Sequence, residues 1–263
     1  MTLVLSMDVG VATHIGRIRE VNEDAYYAGE RLFAVADGMG GHAAGAIASR
    51  TALDVLAGAD RSELTQDALR AQVRAANAAV VDYGRTHRSA AGLGTTIAGI
   101  ALIDSGRAPH WAVFSIGDSR VYLHSDGTLR QLTVDHSEVE ELIAEGALTR
   151  EQARAHPARH IVTRAIGETP PPLLDVVIRP ALTGQRWLIT SDGLTCELDD
   201  RDIQRHLDPN TTPTVAAAHL VEDALAAGGR DNVAVIVLDV RGPDQSAVVE
   251  RTRPRRTAKE HDD

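Results

Sequence analysis

The sequence predicts an α+β domain built on antiparallel strands, and two observations carry that expectation. Apolar, strand-like runs are joined at Ser105-Gly106 and at Asp126-Gly127 by turns too short for a crossover, so the strands must run antiparallel. Helical periodicity is gathered into separate blocks, unlike the strand–helix alternation of a doubly wound parallel sheet.

In chain order, Leu3 to Arg17 reads as a short strand and a loop. The polar stretch Arg19 to Asp24 then leads into a strand at Ala25-Tyr-Tyr-Ala. Arg31 to Ala36 is the strand that delivers Asp37 into a glycine-rich bend. From Ala43 to Leu56 small and apolar residues recur at helical spacing, and Gly58 supplies a stop. Leu64 to Tyr83 reads as a longer helix with Leu69, Val73, Ala76 and Val80 on one face, preceded by capping groups in Ser62-Glu-Leu-Thr. Strands follow at Ile97–Ile103, Trp111–Ile116 and Arg120–His124. Asp135 to Ile161 differs, being polar, helical and interrupted. Glu138–Glu145 makes one short helix, Thr149-Arg-Glu-Gln caps a second, and His156-Pro157 ends it. This segment reads as an insertion lying on the sheet. A buried strand at Arg186–Thr190, helices at Asp200–Leu207 and Pro213–Ala227, and a buried strand at Val233–Val240 complete residues 1–240 as one domain. The mixed-charge tail, residues 241–263, loses all apolar periodicity and is expected to be disordered.

Composition narrows the function. A chain of 263 residues can bury a sizeable core, and with aromatics at only 3% that core must be Val, Leu, Ile and Ala. A net charge of -10, with the acidic residues spread along the chain, argues against a nucleic-acid surface; the positive charge is nearly all arginine, Lys259 being the only lysine. Cys196 is the single cysteine, which excludes an intrachain disulfide and a cluster of cysteines on metal. The acidic run Cys196-Glu-Leu-Asp-Asp-Arg lacks the anion cradle a phosphatase thiolate needs, and Cys196 is expected to be a buried small hydrophobe. No apolar run reaches the ~20 residues of a membrane span and no signal peptide is visible. The expectation is a cytoplasmic protein without membrane contact.

One pattern recurs. Apolar runs deliver Asp37, Asp118 in Phe-Ser-Ile-Gly-Asp-Ser-Arg, and Asp192 in Trp-Leu-Ile-Thr-Ser-Asp-Gly; Asp231, in Gly-Gly-Arg-Asp-Asn, heads the last strand. Singly, Asp-Gly is ordinary turn chemistry. Together, converging carboxylates would repel and their pKa values would rise unless divalent cations relieved them. All-oxygen ligation selects Mg2+ or Mn2+ over zinc. Two such ions can hold a nucleophile and a phosphoryl oxygen together for in-line displacement, with Arg19 as the natural clamp on the phosphate. Convergence itself is not visible in the sequence.

Arg19-x-x-Asn-Glu23-Asp24, Asp37-Gly38-Met-Gly40-Gly-His42, Gly94-Thr95-Thr96, Gly117-Asp118-Ser-Arg120, Ser191-Asp192-Gly193 and Asp231-Asn232 occur in that order. From about His14 to Asp239 the chain thereby resembles the bacterial branch of the metal-dependent serine/threonine phosphatases, the PPM or type-2C family. The resemblance implies a four-layer α-β-β-α sandwich with a binuclear Mn2+ or Mg2+ centre, and attack on phosphorus by hydroxide held there. It implies that Asp37 bridges both ions, that the Gly38 carbonyl ligates one, and that Asp192 and Asp231 complete the other. Asp118 with Asp192 would make a third site, Glu23 would hold water, and Arg19 would bind phosphate. Residues 135–161 would be a mobile flap.

The match has departures. Met39 stands where eukaryotic members carry the histidine assigned as general acid, and His42 lies three residues further on as the candidate acid, against a structural role. His14 stands where many bacterial relatives have an acidic residue. The residues themselves suggest supporting roles for Asp24 and Asn232, strand packing and hydrogen bonding for Thr95 and Thr96, and a structural ion pair for Arg120. His136, His156 and His160 are expected to be solvated. The expected function is hydrolysis of phosphoserine and phosphothreonine, with phosphoproteins as partners, Ser/Thr kinases among the candidates, by a monomer. A specialised phosphatase for an anti-sigma antagonist, a silent phosphoprotein-binding module and a metal-dependent phosphatase for small molecules are the rivals; retention of all four aspartates speaks against the second.

Overall fold

A computed structural model of the chain describes residues 5–40, 44–61, 64–105 and 108–242. The elements, in order, are β1 (Ser6–His14), β2 (Asp24–Ala28), β3 (Leu32–Met39), α1 (Ala44–Leu56), α2 (Gln66–Thr86), β4 (Gly94–Thr95) and β5 (Ile97–Ser105). There follow β6 (Ala108–Ile116), β7 (Arg120–Ser125), β8 (Thr128–Gln131), α3 (Glu138–Ala144), α4 (Arg150–Arg154) and β9 (Asp175–Pro180). The chain closes with β10 (Arg186–Thr190), α5 (Asp192–Thr195), α6 (Asp200–His206), α7 (Pro213–Ala227) and β11 (Val233–Arg241).

Every pairing is antiparallel. A five-stranded sheet runs β1-β11-β10-β7-β8, and a six-stranded sheet runs β2-β3-β5-β6-β9 with β4 beside β3. Side-chain alternation along single strands builds the layers. In β3, Leu32, Ala34 and Ala36 face α1 and α2, where they meet Ala48, Ala52, Leu56, Leu69 and Val73. Phe33 and Val35 point the other way, into the seam between the sheets. In β11, Val235 and Val237 pack toward α6 and α7, with Ile203 and Leu220, while Ala234, Ile236 and Leu238 enter the seam. The result is the α-β-β-α sandwich.

The seam is aliphatic apart from Phe33, Trp111 and Trp187. The two indoles meet edge to face at 5.9 Å, a contact worth about 0.5–1.5 kcal/mol beyond burial. Helix ends follow the sequence signals: Thr65 caps α2, and Thr212 with Pro213 opens α7.

The sequence reading overlooked β8 and β9. Both are short and half-exposed edge strands, with too few apolar positions to alternate visibly. It also overlooked α5, a single turn. The expected insertion forms as α3 and α4, the latter closed by the Thr149–Gln152 capping box, and ends in a 3-10 turn at Pro157–His160. Most of the tail read as disordered, residues 243–263, lies outside the described residues. Among the described residues no helix is long and apolar enough to cross a membrane.

Candidate active site

Strand ends from both sheets meet at one rim of the sandwich. Asp24 opens β2 and pairs in register with Asp37 on β3. Asp118 lies in the link that carries the chain from β6 in one sheet to β7 in the other, Asp192 opens α5 directly after β10, and Asp231 stands just before β11.

Asp37 is held through its backbone. Its N–H donates to Thr96 Oγ1 at 3.0 Å, and its carbonyl accepts from Thr96 N at 2.9 Å and Thr95 Oγ1 at 2.9 Å. Thr96 Oγ1 also meets Ser119 Oγ at 2.7 Å, which joins this strand to the Asp118 loop. The threonines therefore do the hydrogen-bonding work expected of them. Gly117, at φ +101°, turns the chain so closely past Thr96 that a Cβ would sit 2.6 Å from that side chain. Next to Asp37, Gly38 packs its backbone on Gly45 of α1; a Cβ there would lie 2.1 Å from the Gly45 carbonyl oxygen.

The carboxylates crowd one another. The charges of Asp24, Asp192 and Asp118 act on Asp37, and that of Asp231 acts on Asp24 and Asp192. Burial, then the neighbouring negative charges, push Asp37 and Asp118 well above the usual carboxylate range. Asp192 is raised by the same burial, with Asp231 adding to it and a hydrogen bond from Asp37 opposing it. Burial lifts Asp24 to about 8, against a hydrogen bond from Ser191. That hydroxyl donates to Asp24 Oδ2 at 2.6 Å, while Asp24 Oδ1 is buried with no hydrogen-bond partner among the described residues.

Arg19 brings positive charge. Its guanidinium, half-exposed, donates to Asp231 Oδ2 at 2.6 Å. Asn232 fixes the loop that carries it: Oδ1 accepts from Glu23 N at 2.8 Å, and Nδ2 donates to the carbonyls of Ile15 at 2.8 Å and Val21 at 2.9 Å. Its own N–H donates to Asp231 Oδ1 at 2.8 Å. Asn232 thus orients more than Asp231; it ties the whole 15–23 loop to β11. Glu23 turns its carboxylate to the start of α1, where Oε1 accepts from Gly45 N at 3.2 Å. His42, the expected acid, lies outside the described residues.

Arg120 forms the expected ion pair, forked onto Asp135 with contacts down to 2.6 Å, and also donates to Tyr122 Oη at 3.1 Å. Two expectations fail. His136 is buried instead of solvated: Nδ1 accepts from Gly117 N at 3.0 Å, which leaves Nε2–H for Asp175 Oδ2 at 3.1 Å. Because β9 was not visible in the sequence, nothing there marked Asp175 as a partner for it. Cys196 is exposed instead of buried, since α5 is one turn long and Cys196, which ends that turn, faces a cleft. Desolvation of the sulfur, with Asp192 beside it, pushes the thiol up from its ordinary value.

That cleft, about 370 Å3, separates the α3–α4 insertion from the body and reaches the cluster at Asp118 and Asp192. Arg120 of β7 lines it, with Glu140, Arg150 and Arg159 of the insertion.

A divalent cation suits these residues. Burying several carboxylates in mutual contact is unfavourable unless positive charge joins them, and the unpartnered Asp24 oxygen faces the same demand. The donors are all oxygen, the choice of Mg2+ or Mn2+.

Residues 13–227 match the family model described as protein phosphatase 2C. The chain belongs to that family. Within its bacterial branch, the chain is 42% identical over 231 residues to the serine/threonine protein phosphatase PstP of Mycobacterium tuberculosis, covering 86% of this chain but 43% of that relative's length. It is 33% identical over 239 residues to the serine/threonine phosphatase Stp of Listeria welshimeri, 86% of this chain and 93% of the relative. The solved catalytic domain of PstP in complex with two manganese ions superimposes with a TM-score of 0.82 at 36% identity, covering 90% of this chain and all of that one. The family fold is thus the one built here from strand alternation.

Proposed function

We propose that this chain is a metal-dependent phosphatase for phosphoserine and phosphothreonine in proteins, with residues 1–240 as catalytic domain and residues 135–161 as flap. The observation that carries this is the gathering of Asp24, Asp37 and Asp192, whose charges act on one another, at the same rim as the Arg19–Asp231 pair. Asp37, the Gly38 carbonyl, Asp192 and Asp231 would hold two Mn2+ or Mg2+ ions, and Asp118 with Asp192 a third. Bound there, the ions supply an ionised water and neutralise phosphate charge.

The protein's own groups do the rest. Arg19 turns from Asp231 to the non-bridging phosphate oxygens, a forked contact that orients the ester. Thr95 and Thr96 keep Asp37 from shifting as charge moves. Water attacks phosphorus in line, the P–O bond to the serine or threonine breaks, and the departing alkoxide takes a proton, for which His42 is the proposed donor. The attack on phosphorus is direct, and no phosphoenzyme forms. The protein acts as a monomer in the cytoplasm on phosphoproteins, Ser/Thr kinases among them.

The deciding assay is phosphate release from a phosphothreonine peptide with Mn2+, with Mg2+ and with excess EDTA, beside Asp192→Ala. Turnover that requires metal and is lost in the variant is the expected result. A folded, metal-loaded wild type without turnover would overturn the reading.

A further inference from the structure

Three unlike ligand atoms converge at the edge of the cleft: His160 Nδ1, Cys196 Sγ and one Asp192 carboxylate oxygen all lie within 4.8 Å of one another. Cys196 Sγ is 3.5 Å from Asp192 Oδ2 and 3.9 Å from His160 Nδ1. The arrangement is local on one side and long-range on the other. Asp192 and Cys196 are four residues apart on the α5 turn, so they share a face, and Cys196 N donates to Asp192 O at 2.8 Å. His160 arrives from the 3-10 turn that ends the flap.

We infer that His160, Cys196 and Asp192 form a site for a soft divalent cation, zinc above all, that joins the flap to the catalytic body. Tetrahedral zinc, with bonds of roughly 2.0–2.3 Å, sets its ligand atoms about 3.5 Å apart. Two observed separations are within a few tenths of an ångström of that, and the exposed His160 ring closes the third with a small rotation. Zinc binding displaces the Cys196 proton to solvent, and the resulting thiolate with the His160 imidazole selects zinc, whereas Mn2+ and Mg2+ prefer the all-oxygen cluster next door. The adjacent Glu197 carboxylate is engaged by Arg230 at 2.8 Å, which leaves the fourth position to water. A single cysteine is enough for such a mixed site, although it excluded a cluster of cysteines.

Asp192 belongs to both sites. Zinc at this position therefore draws Asp192 Oδ2 away from the carboxylate cluster and pins the flap, so zinc inhibits turnover. This second part rests on the phosphatase reading; the site itself does not.

The test uses the full chain, stripped with EDTA and desalted, with Co2+ as a spectroscopic stand-in. A thiolate-to-cobalt charge-transfer band in the near ultraviolet is expected, with intense visible bands of tetrahedral cobalt, both discharged by added Zn2+. Cys196→Ala should abolish the charge-transfer band. Loss of a ligand's hydrogen-bond support costs roughly 10–100-fold in metal affinity, so His160→Ala, which removes a ligand outright, should weaken Co2+ binding at least about tenfold. Both side chains are exposed, so both variants should fold. A folded wild type that shows no charge-transfer band with saturating Co2+ overturns the site, whatever its activity. In the assay with Mn2+, Cys196→Ala should keep wild-type turnover and need at least about tenfold more Zn2+ for half inhibition. Equal zinc sensitivity in both would overturn the inhibitory link and place zinc on the carboxylate cluster instead.

Discussion

The floor of the site and the flap that faces it are built by opposite means. On the floor, Asp24, Asp37 and Asp192 sit at strand ends; Thr95 and Thr96 fix the Asp37 backbone and Ser191 the Asp24 carboxylate, all three buried. In the flap, two short helices rest on the Thr149 capping box and on the exposed Arg150–Glu140 pair at 3.2 Å. Exposed pairs of that kind contribute about 0–1 kcal/mol. The difference teaches where each property resides. On the proposed function, the chemistry, which tolerates no movement of its ligands, would stand on the sheets, and access to it would fall to a segment held by few and exposed contacts.

Substituting Asp37→Asn should widen that contrast most. It removes one of the charges that burial and neighbours already disfavour, so turnover should fall to the level of buffer hydrolysis. The EDTA-treated protein should melt higher than wild type, because a carboxylate raised in the folded state costs stability at neutral pH. A lower melting temperature in EDTA would show that the cluster is not under the repulsion described. Next comes Asn232→Ala, which frees the 15–23 loop from three side-chain hydrogen bonds. It should cost about 10–100-fold in metal affinity or activity, and about 1–3 kcal/mol in denaturant melts for the buried groups left unpaired.

At the joint between floor and flap, Arg120→Ala leaves Asp135, only 10% exposed, without its fork. The expected cost is about 1–3 kcal/mol, with KM for phosphopeptide rising more than kcat falls, since the cleft wall loosens while the cluster keeps its ligands. A pure kcat effect would count Arg120 among the floor instead. Smallest is Thr149→Ala, which removes one cap, worth about 1 kcal/mol. Amide exchange in residues 149–155 should quicken, with turnover unchanged; slower turnover would mean that flap order limits the reaction.

Much of the floor was legible because the same local grammar repeats: an apolar run ends in Asp, and small residues follow. Strand alternation is a short-range property, and so is the helical spacing of Leu69, Val73, Ala76 and Val80, all of which are buried. His136 and Cys196 were misread for the converse reason. The flap sequence is polar throughout, and nothing local distinguishes a histidine that bonds Gly117 and Asp175 from one in solvent. A cysteine at the end of a one-turn helix carries no periodic signal of the face it takes.

By itself, then, the sequence determined the α+β class, the family by its ordered motifs, and the identity of the aspartates, because side-chain periodicity and turn chemistry are set by neighbours along the chain. Only the tertiary structure decided that Asp24 and Asp37 stand side by side in register, that Arg19 reaches Asp231, and that Asn232 clamps a loop more than 200 residues away. It alone brought His160 to Cys196 and Asp192. Those are contacts across sheets and between distant segments, and they exist only once the two sheets have closed on a common core.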